Sequence, residues 1–329
     1  MKVLGVGNAL VDVLVRLESD TYLEKMGLPK GSMQLIDEDG LMRILEAIRD
    51  YDTFLATGGS AANAICGLAK MGIEAGFIGK ICDDYYGNFY KKDLQKNGVK
   101  TFLTVDTITS GCAMAMITPD GERTFGTYLG AAANLNIRDL SPEMFLGYDY
   151  FFIEGYLVQS PEFIRRAIKM AKQANLKVVL DLASYNIVNA NHAFFTELLQ
   201  YTDIVFANEE ESYAYTGCEP AESAKKLGEI CPIAVVKIGP KGSYIAHNGS
   251  VIHATATKAK CIDSTGAGDL YAAGFLYGLS KNAPLITCGE IGSLISGHVI
   301  ECIGTKMSEK VWTSIKKDIA LLLNTDYIR

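Results

Sequence analysis

The sequence predicts an α/β protein, a core of alternating strands and helices that carries a small discontinuous β-sheet lid. Three observations predict it. From about residue 150 onward, short apolar runs at 150–154, 177–182, 203–207, 233–238 and 243–247 alternate with helical stretches, the pattern of a mostly parallel sheet. Two groups of short strand-like segments, near 13–37 and 101–128, interrupt the alternation and read as a lid inserted twice into one core. Close to the C-terminal end, residues 258–275 run from a strand-like alternation through two glycines into an apolar, proline-free stretch, a strand–turn–helix. No repeat, low-complexity tract or linker divides the 329 residues, so the chain reads as a single domain, 1–329.

The elements follow in order. A strand over 2–7 places Asn8 and Asp12 just beyond it, where ligand contacts collect in an open α/β sheet. Gly5-Val6-Gly7 is not a dinucleotide fingerprint, because Leu10 stands at the third glycine position. Residues 38–49 have helical amphipathicity, and the pair Gly58-Gly59 opens a second helix. A glycine pair there serves a close backbone approach to a ligand or a hinge, and Asn63, a turn further on, could bond a polyhydroxylated substrate. A capped helix after a loop is the alternative. A buried strand at 75–80 and a helix at 84–97, ended by Asn97-Gly98, come next. Pro119-Asp120-Gly121 marks a hairpin turn inside the lid.

Composition narrows the function. Apolar residues make up 49% of the chain, prolines number 8, and the formal net charge is -7 with no basic stripe, which argues against a nucleic-acid partner. No apolar run reaches the ~20 residues needed to span a bilayer. The eight cysteines form no CxxC pair and no zinc spacing, and the N-terminus has no charged-then-apolar leader, so a cytoplasmic location is expected. Neither a Gly-x-Ser-x-Gly elbow nor HExxH occurs.

Three stretches carry chemistry. The backbone of Gly266, Ala267 and Gly268 belongs to a helix start, whose unpaired N–H groups and partial positive charge hold an anion such as phosphate. Asp269 lies within the first turn of that helix. A carboxylate beside a bound phosphate has a use there as the base for an attacking hydroxyl; an acid favoured by the helix dipole is the other reading. Asn208-Glu209-Glu210-Glu211 at a strand end could coordinate magnesium through water, or could be acids of a first helical turn. Lys237-Ile238-Gly239-Pro240-Lys241-Gly242-Ser243 is a phosphate cradle or a plain hairpin turn, and is not a Walker A loop.

Together, Gly58-Gly59 with Asn63, and Asp263-Ser264-Thr265-Gly266-Ala267-Gly268-Asp269, resemble the two signatures of the ribokinase-like, phosphofructokinase-B type kinases. The Asn208 to Glu211 and Lys237 to Gly242 elements lie between them in the family's order. Within the family, Gly7-Asn8-Ala9-Leu10-Val11-Asp12, Gly130-Ala131-Ala132-Ala133-Asn134, Ser160-Pro161-Glu162 and Ile303-Gly304-Thr305-Lys306 are most similar to adenosine kinases. The resemblance implies a Rossmann-like three-layer core with a β lid, ATP and magnesium (Mg2+) as cosubstrates, and a requirement for potassium (K+) left open. It implies transfer of the γ-phosphate to the 5′-hydroxyl of a nucleoside, adenosine first, with ribose or fructose as the alternative acceptor. In that scheme Asp269 is the base and Gly266, Ala267 and Gly268 form the anion hole. Asn8, Asp12, Gly58, Gly59 and Asn63 hold sugar hydroxyls, and Tyr156 lies against the purine. Arg123 closes over the transferring phosphate, Asn208, Lys237, Gly239 and Gly242 face the ATP phosphates, and Glu211 holds magnesium through water. Glu154 departs from the eukaryotic adenosine-kinase pattern. The implied partners are a small-molecule nucleoside or sugar, with no nucleic acid and no membrane, for a monomer or a homodimer paired through its lids. A non-catalytic nucleotide or sugar sensor is disfavoured by the intact Asp269 and its glycine turn.

Overall fold

The computed structural model describes residues 1–120 and 122–325. Its strands are β1 (Lys2–Val6), β2 (Leu10–Arg16), β3 (Met33–Leu35), β4 (Thr53–Gly58), β5 (Glu74–Cys82), β6 (Val99–Asp106), β7 (Gly111–Ile117), β8 (Arg123–Tyr128), β9 (Tyr150–Glu154), β10 (Lys177–Asp181), β11 (Ile204–Asn208), β12 (Ile233–Lys237), β13 (Ser243–His247) and β14 (Ser250–Ala254). Nine of them form one sheet in the order β14-β13-β12-β11-β10-β9-β1-β5-β6. From β12 through to β6 every neighbouring pair is parallel, and β13 and β14 add an antiparallel edge.

Both faces of this sheet are buried, and the period-two alternation of its strands sorts side chains between two cores. Val3, Phe77, Phe152 and Val179 go to one core, with the helices Ser60–Lys70, Ala267–Ser280 and Leu285–Val299. Leu4, Ile78, Phe151, Ile153 and Val178 go to the other, with the helices Pro161–Gln173 and Pro220–Gly228. The result is the expected three-layer α/β core. Its strand order reverses at β1, flanked by β9 and β5, and such a switch point opens a crevice beyond the strands' carboxyl ends.

The second sheet has the order β3-β8-β7-β2-β4. One face of this lid, with Val11, Val13, Val15, Met114 and Met116, packs into a core with Leu23, Met26, Leu41 and Ile44 of the helices Thr21–Met26 and Glu38–Ala47. The opposite face aligns Leu35, Thr127, Ala113, Asp12 and Ala56 in register.

The lid differs from the expected segments in three ways. The strand over 53–58 belongs to it, the 99–106 strand pairs with β5 in the large sheet instead, and the 13–37 segment contains a helix. Ile117 pairs with Arg123 across the predicted hairpin, and Thr118 N–H donates to the Glu122 carbonyl at 2.9 Å. Gly121 of that turn lies outside the described residues. Residues 258–262 form no strand. They are exposed loop, whose N–H groups go to the turn after the helix Leu285–Val299 instead of to a strand: Lys260 N–H donates to the Glu301 carboxylate at 2.9 Å and Ile262 N–H to the Ile300 carbonyl at 2.7 Å. Among the described residues, no helix is long and apolar enough to cross a membrane.

Candidate active site

The loop ahead of the helix Ala267–Ser280 is built around Asp263, which is 7% exposed. Its Oδ1 accepts from Thr265 N–H at 3.1 Å and Thr265 Oγ1 at 2.7 Å, and its Oδ2 accepts from Gly304 N–H at 2.5 Å. Arg123, the first residue of β8, reaches across from the lid and pairs with the same Oδ2 at 2.5 Å. The turn then needs Gly266 in the left-handed region at φ +73°, and a Cβ there would stand 2.4 Å from the Thr305 methyl. Of the three residues expected to form the anion hole, Ala267 spends its N–H on the Ser264 carbonyl at 3.1 Å, because the turn closes on itself. Gly268 has a different use: a Cβ would lie 3.0 Å from the Lys237 ammonium, so glycine lets that cation reach the helix start.

Asp269 sits in the first turn of the helix. Ser60 Oγ donates to its Oδ1 at 2.7 Å and Asn63 Nδ2 to its Oδ2 at 2.9 Å. Burial pushes its carboxyl up to about 6; the Asn63 and Ser60 hydrogen bonds restrain the rise, and the Asp181 charge adds to it. Asn63 therefore has a partner within the protein. Its other amide end, Oδ1, accepts from Thr305 Oγ1 at 3.2 Å, so it orients Asp269 and keeps one amide hydrogen and one lone pair toward the cavity it lines.

On the lid side, the Asp12 carboxylate rests where Gly58 has no side chain, 2.1 Å from where a Cβ would be. Burial, then the Asp269 charge, push the Asp12 carboxyl up to about 7. Gly59, at φ +89°, turns the chain from β4 into the helix Ser60–Lys70, and a Cβ there would meet the Asn8 carbonyl at 2.4 Å. Asn8 donates both its backbone N–H and its Nδ2 to Glu154 Oε1, each at 2.7 Å, and Ala61 N–H donates to Glu154 Oε2 at 3.0 Å. Glu154, 1% exposed, thus holds the end of β1 against a helix start; burial pushes its carboxyl up to about 7 in spite of three N–H donors. Tyr156 follows in a short 3-10 turn, its hydroxyl donating to the Ala183 carbonyl at 3.4 Å.

On the other side, Asn208 caps the helix Glu209–Thr216, accepting from Glu211 N–H while Glu211 accepts from Asn208 N–H and Nδ2, all at 2.8 Å. The helix-start reading of this stretch is realised in full. Burial, most of all, raises the Glu211 carboxyl, and the Asp181 charge contributes. Lys237 ends β12 and pairs with Asp181 at 3.0 Å. Burial lowers its ammonium, but Asp181 and Glu211 outweigh that and hold it above the usual value. Gly239 at φ +54° and Gly242 at φ +100° make the turn that follows.

Two adjoining cavities share Gly59, Ser60 and Tyr156. The smaller, about 400 Å3, lies under the lid between Asn8, Leu10, Leu35, Ala113, Glu154 and Ile187. The larger, about 950 Å3, runs from Asp12 and Asp269 past Lys237 and Gly242 to Ile300. Asp269 lies near their junction, and this is where the expected residues converge. Ser60 was legible only as part of a glycine motif. Asp181 carries no local signal beyond its position at a strand end, and Glu154 and Thr305 stood out in the sequence only against the family pattern, with no sign of what they bond. Among the described residues no group of three or more His, Cys, Asp or Glu could hold a metal directly. Three neighbouring carboxylates, Asp181, Glu211 and Asp269, face the single ammonium of Lys237, and that excess of negative charge fits a hydrated divalent cation better than direct ligation.

A three-layer core, a lid strand that passes through two glycines into a helix, and a buried acid at a helix start are the parts of a phosphotransferase with an alcohol group as acceptor, the class to which the relatives of this chain belong. Residues 46–311 match the pfkB family carbohydrate kinases, and the chain belongs to that family, whose members use ATP. It is 32% identical over 260 residues to the 5-dehydro-2-deoxygluconokinase of Bacillus subtilis (strain 168), covering 74% of this chain and 80% of that one. The adenosine kinase from Sinorhizobium meliloti is 32% identical with a TM-score of 0.85, over 96% of this chain and 99% of that one. A probable sugar kinase from Rhizobium etli CFN 42 is 30% identical with a TM-score of 0.86, over 98% of each chain.

Proposed function

We propose that this chain is an ATP-dependent nucleoside kinase that phosphorylates the 5′-hydroxyl of adenosine. The observation that carries the reading is the smaller cavity. None of its lining residues is a lysine or arginine, most are apolar, and one is the buried acid Glu154. Such a pocket suits a neutral acceptor with an apolar base. A sugar acid would bring a carboxylate to Glu154 with no cation to meet it. At about 400 Å3 the cavity also falls within the roughly 300–1,000 Å3 of sites that hold drug-sized ligands, ample for a nucleoside.

In this reading Asp12 accepts from ribose hydroxyls, since a carboxylate offers acceptors only. The Asn8 side-chain oxygen assists it, and Tyr156 flanks the base. The donor occupies the larger cavity, its phosphates toward Lys237, Gly239, Gly242 and the helix start at Gly266 and Gly268. Magnesium, held through water by Asn208 and Glu211, would neutralise phosphate charge. Arg123 adds a second cation as the lid closes. Asp269 orients the 5′-hydroxyl and takes its proton late, after the phosphorus–oxygen bond has begun to form. Each Asp269 oxygen keeps a lone pair beyond the one used by Ser60 or Asn63, so the base remains able to accept.

A sugar kinase is the second reading, favoured by the likeness to 5-dehydro-2-deoxygluconokinases. ADP release measured over adenosine, inosine, guanosine, ribose, fructose and 5-dehydro-2-deoxygluconate separates the two. The nucleoside reading expects adenosine to give the highest kcat/KM. Turnover confined to the sugar acid would replace it.

A further inference from the structure

Asp93 lies on the helix Tyr85–Lys96 and lines neither cavity. One of its oxygens, Oδ2, accepts from two donors brought from distant parts of the chain, the hydroxyl of Thr57 and the ammonium of Lys306. Thr57 is 3% exposed on β4, one residue before the Gly58-Gly59 hinge. Tyr90, one helical turn before Asp93, donates to the carbonyl of Gly58 at 3.5 Å, so the same helix face holds the hinge twice. Lys306, also seated 5.3 Å over the Phe89 ring, follows Thr305.

From that oxygen two short routes reach the catalytic carboxylate. One runs Thr57, Gly58, Gly59, Ser60 and ends on Asp269 Oδ1. The other runs Lys306, Thr305, Asn63 and ends on Asp269 Oδ2. Both oxygens of Asp269 are thus oriented by segments clamped at one point on a third element. We propose that Asp93 is a positioning residue for phosphoryl transfer, clamping the lid hinge and the 303–306 loop so that Ser60 and Asn63 present Asp269 to the acceptor. The charge of Lys306 also acts on Asp12, where it offsets part of the rise that burial gives that carboxyl.

The proposal rests on Asp269 as the base, so Asp269→Asn is measured beside the clamp variants. Asp93→Ala removes both anchor points without touching a cavity wall. It should lower kcat by about tenfold, within the ~10²-fold cost of a small misplacement at a reacting centre, and leave the KM for ATP within about twofold. In a Ser60→Ala/Asn63→Ala background the routes no longer end on Asp269, and adding Asp93→Ala should then change kcat by less than about twofold. Thr57→Val and Lys306→Met each remove one donor, and each should lower kcat by less than Asp93→Ala; they carry the test if Asp93→Ala does not fold. An unchanged kcat in the single variants, or a full tenfold loss that persists in the Ser60→Ala/Asn63→Ala background, overturns the clamp. Full turnover in Asp269→Asn overturns the assignment of the base instead.

Discussion

Asp269 receives one donor on each carboxylate oxygen and stands in surroundings that push its carboxyl up to about 6. A base must be ionised to accept a proton, and a group with this value is ionised only as the pH rises past it. The free enzyme's kcat/KM for adenosine should therefore begin to fall below about pH 7, where Asp12 takes up a proton, and fall more steeply below about pH 6, where Asp269 does, while unperturbed aspartates would carry activity down to ~4. Asp269→Asn keeps the shape and removes the acceptor, so kcat should drop by about 10²–10⁴-fold while ATP binding, followed by calorimetry, survives. A kcat/KM that stays level down to pH 5, or retained turnover in the variant, would take Asp269 out of this role. The glycine turn and the acid were visible in the sequence. Its two orienting partners were not, because Ser60 and Asn63 lie 209 and 206 positions away and spacing within a motif says nothing of contacts that distant.

At the scale of elements, the loop before the helix Ala267–Ser280 depends on one backbone geometry. Gly266→Ala would put a Cβ at φ +73° and 2.4 Å from the Thr305 methyl. The strain should cost about 1–3 kcal/mol in urea unfolding and displace the helix start, lowering kcat. Thr305→Ser deletes that methyl and keeps the hydroxyl that bonds Asn63, so the double variant should recover part of both losses. Equal stability and turnover in Gly266→Ala and the parent would show that the turn tolerates the side chain. Elements of this kind were partly legible. The apolar runs of β9 to β13 announced themselves, since strands buried on both faces have little choice of residue. Which sheet a strand joins was not legible. Residues 53–58 were not read as a strand at all, and the strand-like start of the 101–128 segment was placed in the lid, yet the first lies in the lid and the second in the large sheet, a choice made by pairing partners far along the chain. The alternation at 258–262 pointed to a strand, but Lys260 and Ile262 give their N–H groups to Glu301 and the Ile300 carbonyl, partners that spacing does not reveal. At Asn208 to Glu211 two readings had been open, and the capping box realises the helix-start one while leaving Glu211 lone pairs for hydrated magnesium.

Over the whole molecule, the site gathers more buried acid than buried base. The carboxyls of Asp12 and Glu154 are pushed up to about 7 and that of Asp269 to about 6, and Glu211 is raised as well, with burial the first cause in each case. In the unfolded chain such groups lose their protons near pH ~4. Between about pH 4 and 7 the folded protein therefore binds protons that the unfolded chain has already released. Stability then decreases as pH rises through that window, because unfolding releases protons. The acids shifted the other way, Asp106, Asp120, Glu143, Glu197 and Glu309, are held below their usual values by hydrogen bonds and ion pairs. They finish titrating below about pH 5 and leave the neutral range to the site acids. The urea midpoint of the protein without substrates should accordingly fall between pH 5 and pH 7. Asp12→Asn and Glu154→Gln, each removing a group raised to about 7, should flatten that slope, and the pair should flatten it more than either alone. A midpoint that stays level or rises over the same interval in the parent protein would mean that these acids are not held above their unfolded values.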